Sequence, residues 1–207
     1  MKAVLVNYNF TPDWVKDYNL DYLIYDRSDE DMWLVDFPKE RILKTKNVGN
    51  VDYDKLSFLV DFYDNLPDVF LWGKSNLFKY ITKEGFDKVK DSKEFTPLLT
   101  QNHKTYSDKF GPVCFYHEGM YYERNDSWFL QSHPSKYFKN WNDWASEFQI
   151  PTERYIPFPP GGNFILTKER VHRFSRDTYM KMRALMDYTT LPGEAQCAER
   201  IYYLMWR

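Results

Sequence analysis

Val69-Phe70-Leu71-Trp72 is apolar without alternation, and it breaks at once into Gly73-Lys74-Ser75-Asn76. A short run of this kind reads as a strand covered on both faces, as in a sheet with helices on either side. The residues before it supply one such cover. Leu56, Leu59, Val60, Tyr63 and Leu66 recur at helical spacing, Asn50 is placed to cap, Asp52 and Asp54 suit the positive end of the helix dipole, and Pro67 blocks continuation. A helix over 50–66 is predicted. The polar mouth at the carboxyl end of the strand is where open α/β sheets hold ligands.

Upstream, Ala3 to Val6 predict a strand that turns polar at Asn7-Tyr8-Asn9, and Thr11-Pro12-Asp13 opens a helix. Leu20 to Tyr25 predict a second strand, closed by Asp26 and Arg27, so the start reads as βαβ. No GxGxxG lies between them, but an acid ending the second strand suits ribose hydroxyls, with turn capping as its structural alternative. Asp29-Glu30-Asp31 and the pair Asp61, Asp64 have metal-like spacing, yet the first sits in a charge run and the second near a helix end, so both read as structural.

Downstream, 78–90 predict a surface helix and 96–112 a long loop of the kind that forms lids. Val113 to His117 and Met120 to Arg124 flank Glu118-Gly119 as a hairpin. Asn140 caps a short helix with Trp141, Trp144 and Phe148 on one face, read as core. Pro157 to Pro160 predict a loop delivering Gly161-Gly162-Asn163 into the strand Phe164 to Leu166, the glycines allowing close backbone approach. Thr167 caps a helix with a stripe of Val171, Phe174, Met182, Leu185 and Met186. A last helix opens at Glu194-Ala195-Gln196, with Glu199 one turn on as a site acid or a buried partner of an arginine.

The 207 residues suit one domain spanning 1–207. The chain stops at Arg207 inside an apolar helical pattern, as expected of one domain of a longer polypeptide. Interspersed charges summing to −2 leave no basic footprint for nucleic acid. Two cysteines without a CxxC, and His103, His117, His133 and His172 without ligand spacing, predict neither a disulfide framework nor structural zinc. With no leader-like segment and no apolar run of membrane length, a soluble cytoplasmic protein is expected. Aromatics at 19% predict a ring-rich core with some rings facing a ligand.

This order of elements, with the stretches NVGNVDYDKLSFLVDFYDNLPDVFLWG, GGNFILTKERV and AERIYYLMW, resembles the GT-A glycosyltransferases, including the domains with which chlorella viruses decorate a capsid glycoprotein. The resemblance covers nearly the whole chain. It implies an α/β, GT-A-like single domain with a central mixed, mostly parallel sheet flanked by helices. It implies transfer of a hexose or deoxyhexose, glucose or rhamnose in type, from a UDP-sugar donor to a hydroxyl of a glycan or glycoprotein acceptor, with a divalent cation, usually Mn²⁺. By position, Asn7 and Tyr8 would meet the nucleoside, Asp26 and Arg27 the ribose and base, and Lys74, Gly162 and Asn163 the diphosphate and sugar. The family's DxD position holds Gly73-Lys74-Ser75-Asn76, which leaves Ser75 and Asn76 as oxygen ligands without a carboxylate. Glu194 and Gln196 resemble the carboxylate and amide that retaining members place beneath the donor sugar, so retention is favoured. The alternative is a noncatalytic glycan- or nucleotide-binding module.

Overall fold

The computed structural model describes residues 1–127, 130 and 132–207. In chain order the elements are β1 (Lys2–Asn7), α1 (Trp14–Asp17), β2 (Asp21–Asp26), β3 (Ile42–Lys44), α2 (Asn50–Asp61), β4 (Val69–Lys74), α3 (Lys83–Val89), β5 (Thr96–Pro97), β6 (Tyr106–Asp108), β7 (Gly111–His117), β8 (Met120–Arg124), α4 (Trp141–Glu147), β9 (Tyr155–Phe158), β10 (Phe164–Thr167), α5 (Lys168–Val171), α6 (Arg176–Ala184) and α7 (Gly193–Trp206). The chain is an α/β domain. Its main sheet is mixed, in the order β3-β2-β1-β4-β10-β5. The first four strands run parallel, and β10 returns antiparallel between β4 and β5.

Alternation along the central strands divides the core in two. Val4, Val6, Phe70, Trp72, Phe164 and Leu166 point to a face covered by α2, α4, α6 and α7, where they meet Leu56, Leu59, Trp144, Met182, Tyr202 and Trp206. Ala3, Leu5, Leu71 and Ile165 point the other way, onto Trp14, Leu34, Phe37, Leu77 and Phe86. The double cover expected of Val69 to Trp72 is thus present, and Phe70, Leu71 and Trp72 are fully buried. Each such side chain withdrawn from water contributes about 1.5–3 kcal/mol. A smaller antiparallel sheet, β6-β7-β8-β9, packs through β9 onto α7.

Several boundaries depart from expectation for local reasons. The α2 helix ends at Asp61 and passes into a separate 3-10 turn, Tyr63–Asn65, before Pro67. Its cap is Gly49 in the left-handed region, while Asn50 also has positive φ and makes no capping bond. Thr11 gives its hydroxyl to the Trp33 carbonyl, and α1 is a single turn. The predicted helix over 78–90 is a 3-10 turn, Leu77–Lys79, followed by α3. The 96–112 segment is no simple loop, for β5 pairs with β10 and β6 with β7 at its two ends. Pro157 lies inside β9, whose pairing with β8 accommodates it. The stripe after Thr167 is split between α5 and α6, the second capped afresh by Ser175. Asp61 and Asp64 pair with Arg183 and Arg176, the structural roles expected of them.

Candidate functional site

In the main sheet β1 and β4 are neighbours, but the chain leaves β1 toward β2 and β3 on one side and leaves β4 toward the other half of the sheet. Connections that diverge in this way open a crevice at the strand carboxyl ends. The crevice here is a cleft of two lobes that meet at Asn50, Lys74 and Tyr80. The first, about 350 Å³, is lined by Tyr8, Phe10, Arg27, Asn47, Ser75, Asn76, Thr190 and Leu191. The second, about 440 Å³, is lined by His103, Tyr106, Glu123, Phe158, Gly161, Gln196, Glu199 and Arg200.

The backbone at the cleft floor is held by few side chains. Asn163 Oδ1 accepts from the Lys74 backbone N–H at 2.8 Å, and a Cβ on Gly73 would stand 2.9 Å from that oxygen, so the glycine leaves room for the clasp. Gly161 and Gly162 have positive φ, and a Cβ at Gly161 would strike the Tyr80 ring at 2.5 Å. The buried Lys55 ammonium donates to the carbonyls of both glycines and lies 4.6 Å from the Trp72 ring centroid. These contacts fix the turn that carries Asn163.

Charge accumulates where the lobes join. Lys74 Nζ stands 3.3 Å from the Tyr80 hydroxyl and 3.8 Å from Glu199 Oε2, and Arg200 donates to Glu199 Oε1 at 3.0 Å and to Glu123 Oε2 at 2.9 Å. Burial pushes the Glu199 carboxyl upward, but Arg200, Lys74 and Lys55 outweigh it and hold the group below its ordinary range. It remains an anion at neutral pH. Burial likewise depresses Lys74, and Glu199, Tyr80 and Asp52 outweigh it and hold the ammonium above its ordinary value. His103 is exposed as a residue, but partial withdrawal of its ring from water draws it below 6.5, with Glu199 opposing, which favours the neutral imidazole at pH 7. Beneath them burial raises Asp52 to about 6 and lowers Lys55 to about 8.

The structure brings Tyr8, Arg27, Lys74, Ser75 and Asn76 together in the first lobe and Gln196 into the second. Asn7 is buried behind the mouth, where its amide donates to Asp26 Oδ1 at 3.0 Å. Asp26 is engaged by Asn7, Ser28 and Lys44 and lines a separate hollow beside β3, outside the cleft. Burial would raise its carboxyl, but the bonds from Lys44, Ser28 and Asn7 prevail and lower it, the signature of a strand-end clasp. Gly162 and Asn163 lie below the floor and act through Lys55 and Lys74.

Glu194 lines neither lobe. It is fully buried, accepting from the Ser135 hydroxyl, from the backbone N–H groups of Lys136 (2.8 Å) and Tyr137 (3.2 Å), and from the Tyr188 hydroxyl at 2.6 Å. It fastens a loop to the start of α7. The acids that line the cleft are instead Glu123 and Glu199, and His103 lines the same lobe. Helical spacing alone points to Glu199, since Gln196, Glu199 and Arg200 share one face of α7. His103 had no sequence signal, because only the fold of 98–105 brings it to the second lobe.

Ser75 and Asn76 both line the first lobe and offer neutral oxygens there. The Ser75 hydroxyl donates to the Val6 carbonyl at 3.1 Å, which fixes its oxygen in place, and the Ser75 carbonyl accepts from the Trp14 indole at 2.7 Å. Among the described residues no group of three or more His, Cys, Asp or Glu could hold a metal ion, whereas Mn²⁺ and Mg²⁺ ask for several oxygen ligands. No helix among the described residues is long and apolar enough to cross a membrane.

A family described as Protein of unknown function (DUF3431) matches residues 6–207. No curated protein and no solved structure matches the chain.

Proposed function

We propose that this chain, which belongs to the DUF3431 family, is a glycosyltransferase that moves a hexose or deoxyhexose from a UDP-sugar to a hydroxyl of a glycan or glycoprotein. The observation that carries the reading is the two-lobed cleft at the carboxyl ends of β1 and β4, with cations in the lobe nearest the strand ends and an ionised acid facing a neutral imidazole in the other. The half-exposed Tyr8 offers the nucleoside a ring, and Phe10 lies beside it. The donor phosphates lie toward Lys74 and the sugar crosses the junction into the second lobe. The acceptor enters there.

In the transfer step the acceptor oxygen bonds to the anomeric carbon while the bond from that carbon to the diphosphate oxygen breaks, its electron pair leaving with UDP. The hydroxyl proton passes to His103, whose neutral ring nitrogen is a suitable acceptor near pH 7. Glu199, held as an anion, faces the positive charge that develops on the sugar. Gln196 contributes a polar side chain to the same wall.

Isothermal titration with UDP, GDP and CMP, followed by donor hydrolysis without acceptor, tests the reading. UDP should bind in preference to the purine nucleotide, and a UDP-sugar should be slowly hydrolysed. Turnover should fall as pH drops through the His103 pKa, below 6.5, because protonation removes the base. His103→Gln should abolish that acid limb. A protein that binds glycan but neither UDP nor UDP-sugar is the noncatalytic module, a reading favoured by Glu199 and Glu123 both being paired with Arg200.

A further inference from the structure

The cleft has a cation where a metal-dependent transferase would gather carboxylates. Lys74 is the last residue of β4, at the junction of the lobes, and its ammonium has three donors, with the Tyr80 hydroxyl at 3.3 Å, the Tyr80 ring centroid at 4.9 Å and Glu199 at 3.8 Å. Charge-assisted bonds close to about 2.7–2.9 Å when they are satisfied, so this ammonium has donor capacity left for phosphate oxygens. Arg27, the other cation of the first lobe, donates to the Val48 carbonyl, stands 3.9 Å from Asp54 and is set back from the junction of the lobes. The neighbouring oxygens are unsuited to a dication. Ser75 and Asn76 bring only neutral oxygens, Asn163 Oδ1 accepts from the Lys74 N–H, and Glu199 already faces both Lys74 and Arg200. A divalent ion at Glu199 would stand between two positive charges.

We infer that Lys74 neutralises the donor diphosphate directly, and that this chain binds its nucleotide without a divalent cation. The inference rests on the glycosyl-transfer reading and sharpens it: the leaving group departs toward an ammonium fixed by the central strand. On ligand binding the ammonium exchanges its long contact with Glu199 for phosphate oxygens, which leaves the carboxylate facing the sugar.

The test is titration of the full chain with UDP and with UMP, in EDTA and again with Mn²⁺. Equal UDP affinity in the two media, within about twofold, is expected, and Lys74→Met should weaken UDP about tenfold or more while changing UMP by less than about twofold. That difference separates a diphosphate contact from general damage to the pocket. UDP binding that appears only with Mn²⁺ overturns the inference on the unmodified protein, whether or not the variant folds, and leaves the transferase reading standing. Equal losses for UDP and UMP also overturn it. Absence of UDP binding in every medium removes the transferase reading instead.

Discussion

Glu194 and Glu199 are five positions apart on one helix and have different surroundings, the first fastened to a loop and the second lining the cleft. Glu194 holds charge-assisted bonds to a loop, each worth about 1.5–3 kcal/mol, and a carboxylate that only accepts suits four donors better than an amide does. Glu194→Gln should therefore lower the thermal midpoint by several degrees, at about 2–4 °C per kcal/mol for a chain of this size, and leave UDP affinity nearly unchanged. Glu199→Gln should keep UDP affinity and cut donor turnover by about 10²-fold or more, the scale of a positioned charge. Calorimetry, UDP titration and donor hydrolysis on both variants check this, and a fully active Glu199→Gln protein would remove that carboxylate from the chemistry. The sequence placed Glu194 at the cleft because Leu191-Pro192-Gly193 suggests a helix start open to it. In the fold that start is packed against the 133–134 backbone, 2.3 Å from where a Cβ on Gly193 would stand.

The strands, turns and caps set by neighbouring residues were the most legible part of the chain. An unalternating run at Val69 to Trp72, a two-residue signal at Glu118-Gly119 and caps at Asn140 and Thr167 each depend on a few adjacent residues, and each is present. The second lobe was not legible, because it joins β6 to β9, the 98–105 connection and one face of α7 across long sequence separations. The β4 end also explains its own composition. Gly73→Ala would drive a Cβ against Asn163 Oδ1, 2.9 Å away, and break the bond that oxygen makes to the Lys74 N–H. A buried group left unpaired costs about 1–3 kcal/mol. The variant should lose that much stability in denaturant titration and also bind UDP more weakly, since the displaced backbone carries Lys74. Wild-type UDP affinity in Gly73→Ala would show that the clasp does not govern the site.

Across the whole molecule, acids sealed beneath the cleft set the pH response. Asp52 and Asp54 are raised to about 6, mainly by burial, above an ordinary 3.8. Between those values the native protein binds more protons than the unfolded chain, so their contribution is greatest below the unfolded value and is lost as pH rises through 6. His103, held low, opposes this over the upper part of the window with one group against two. Asp26, Asp108 and Glu199 are lowered and withdraw their support only at stronger acidity. The thermal midpoint should therefore be higher at pH 5 than at pH 7 and collapse below about pH 4, and a scanning calorimetry series that rises steadily from pH 5 to 7 would contradict the burial of this pair. The last helix has a different consequence, one for biosynthesis. Residues of α7 from Gly193 to Tyr202 are all buried, and Tyr202 and Trp206 close over Trp72 of the central strand. A ribosome that has released everything before Gly193 has therefore delivered every strand of the sheet while one of its faces still lacks its lid of rings. Until α7 follows, the nascent chain presents an oily trough to the cell, and its escape from chaperones and proteases waits on that helix.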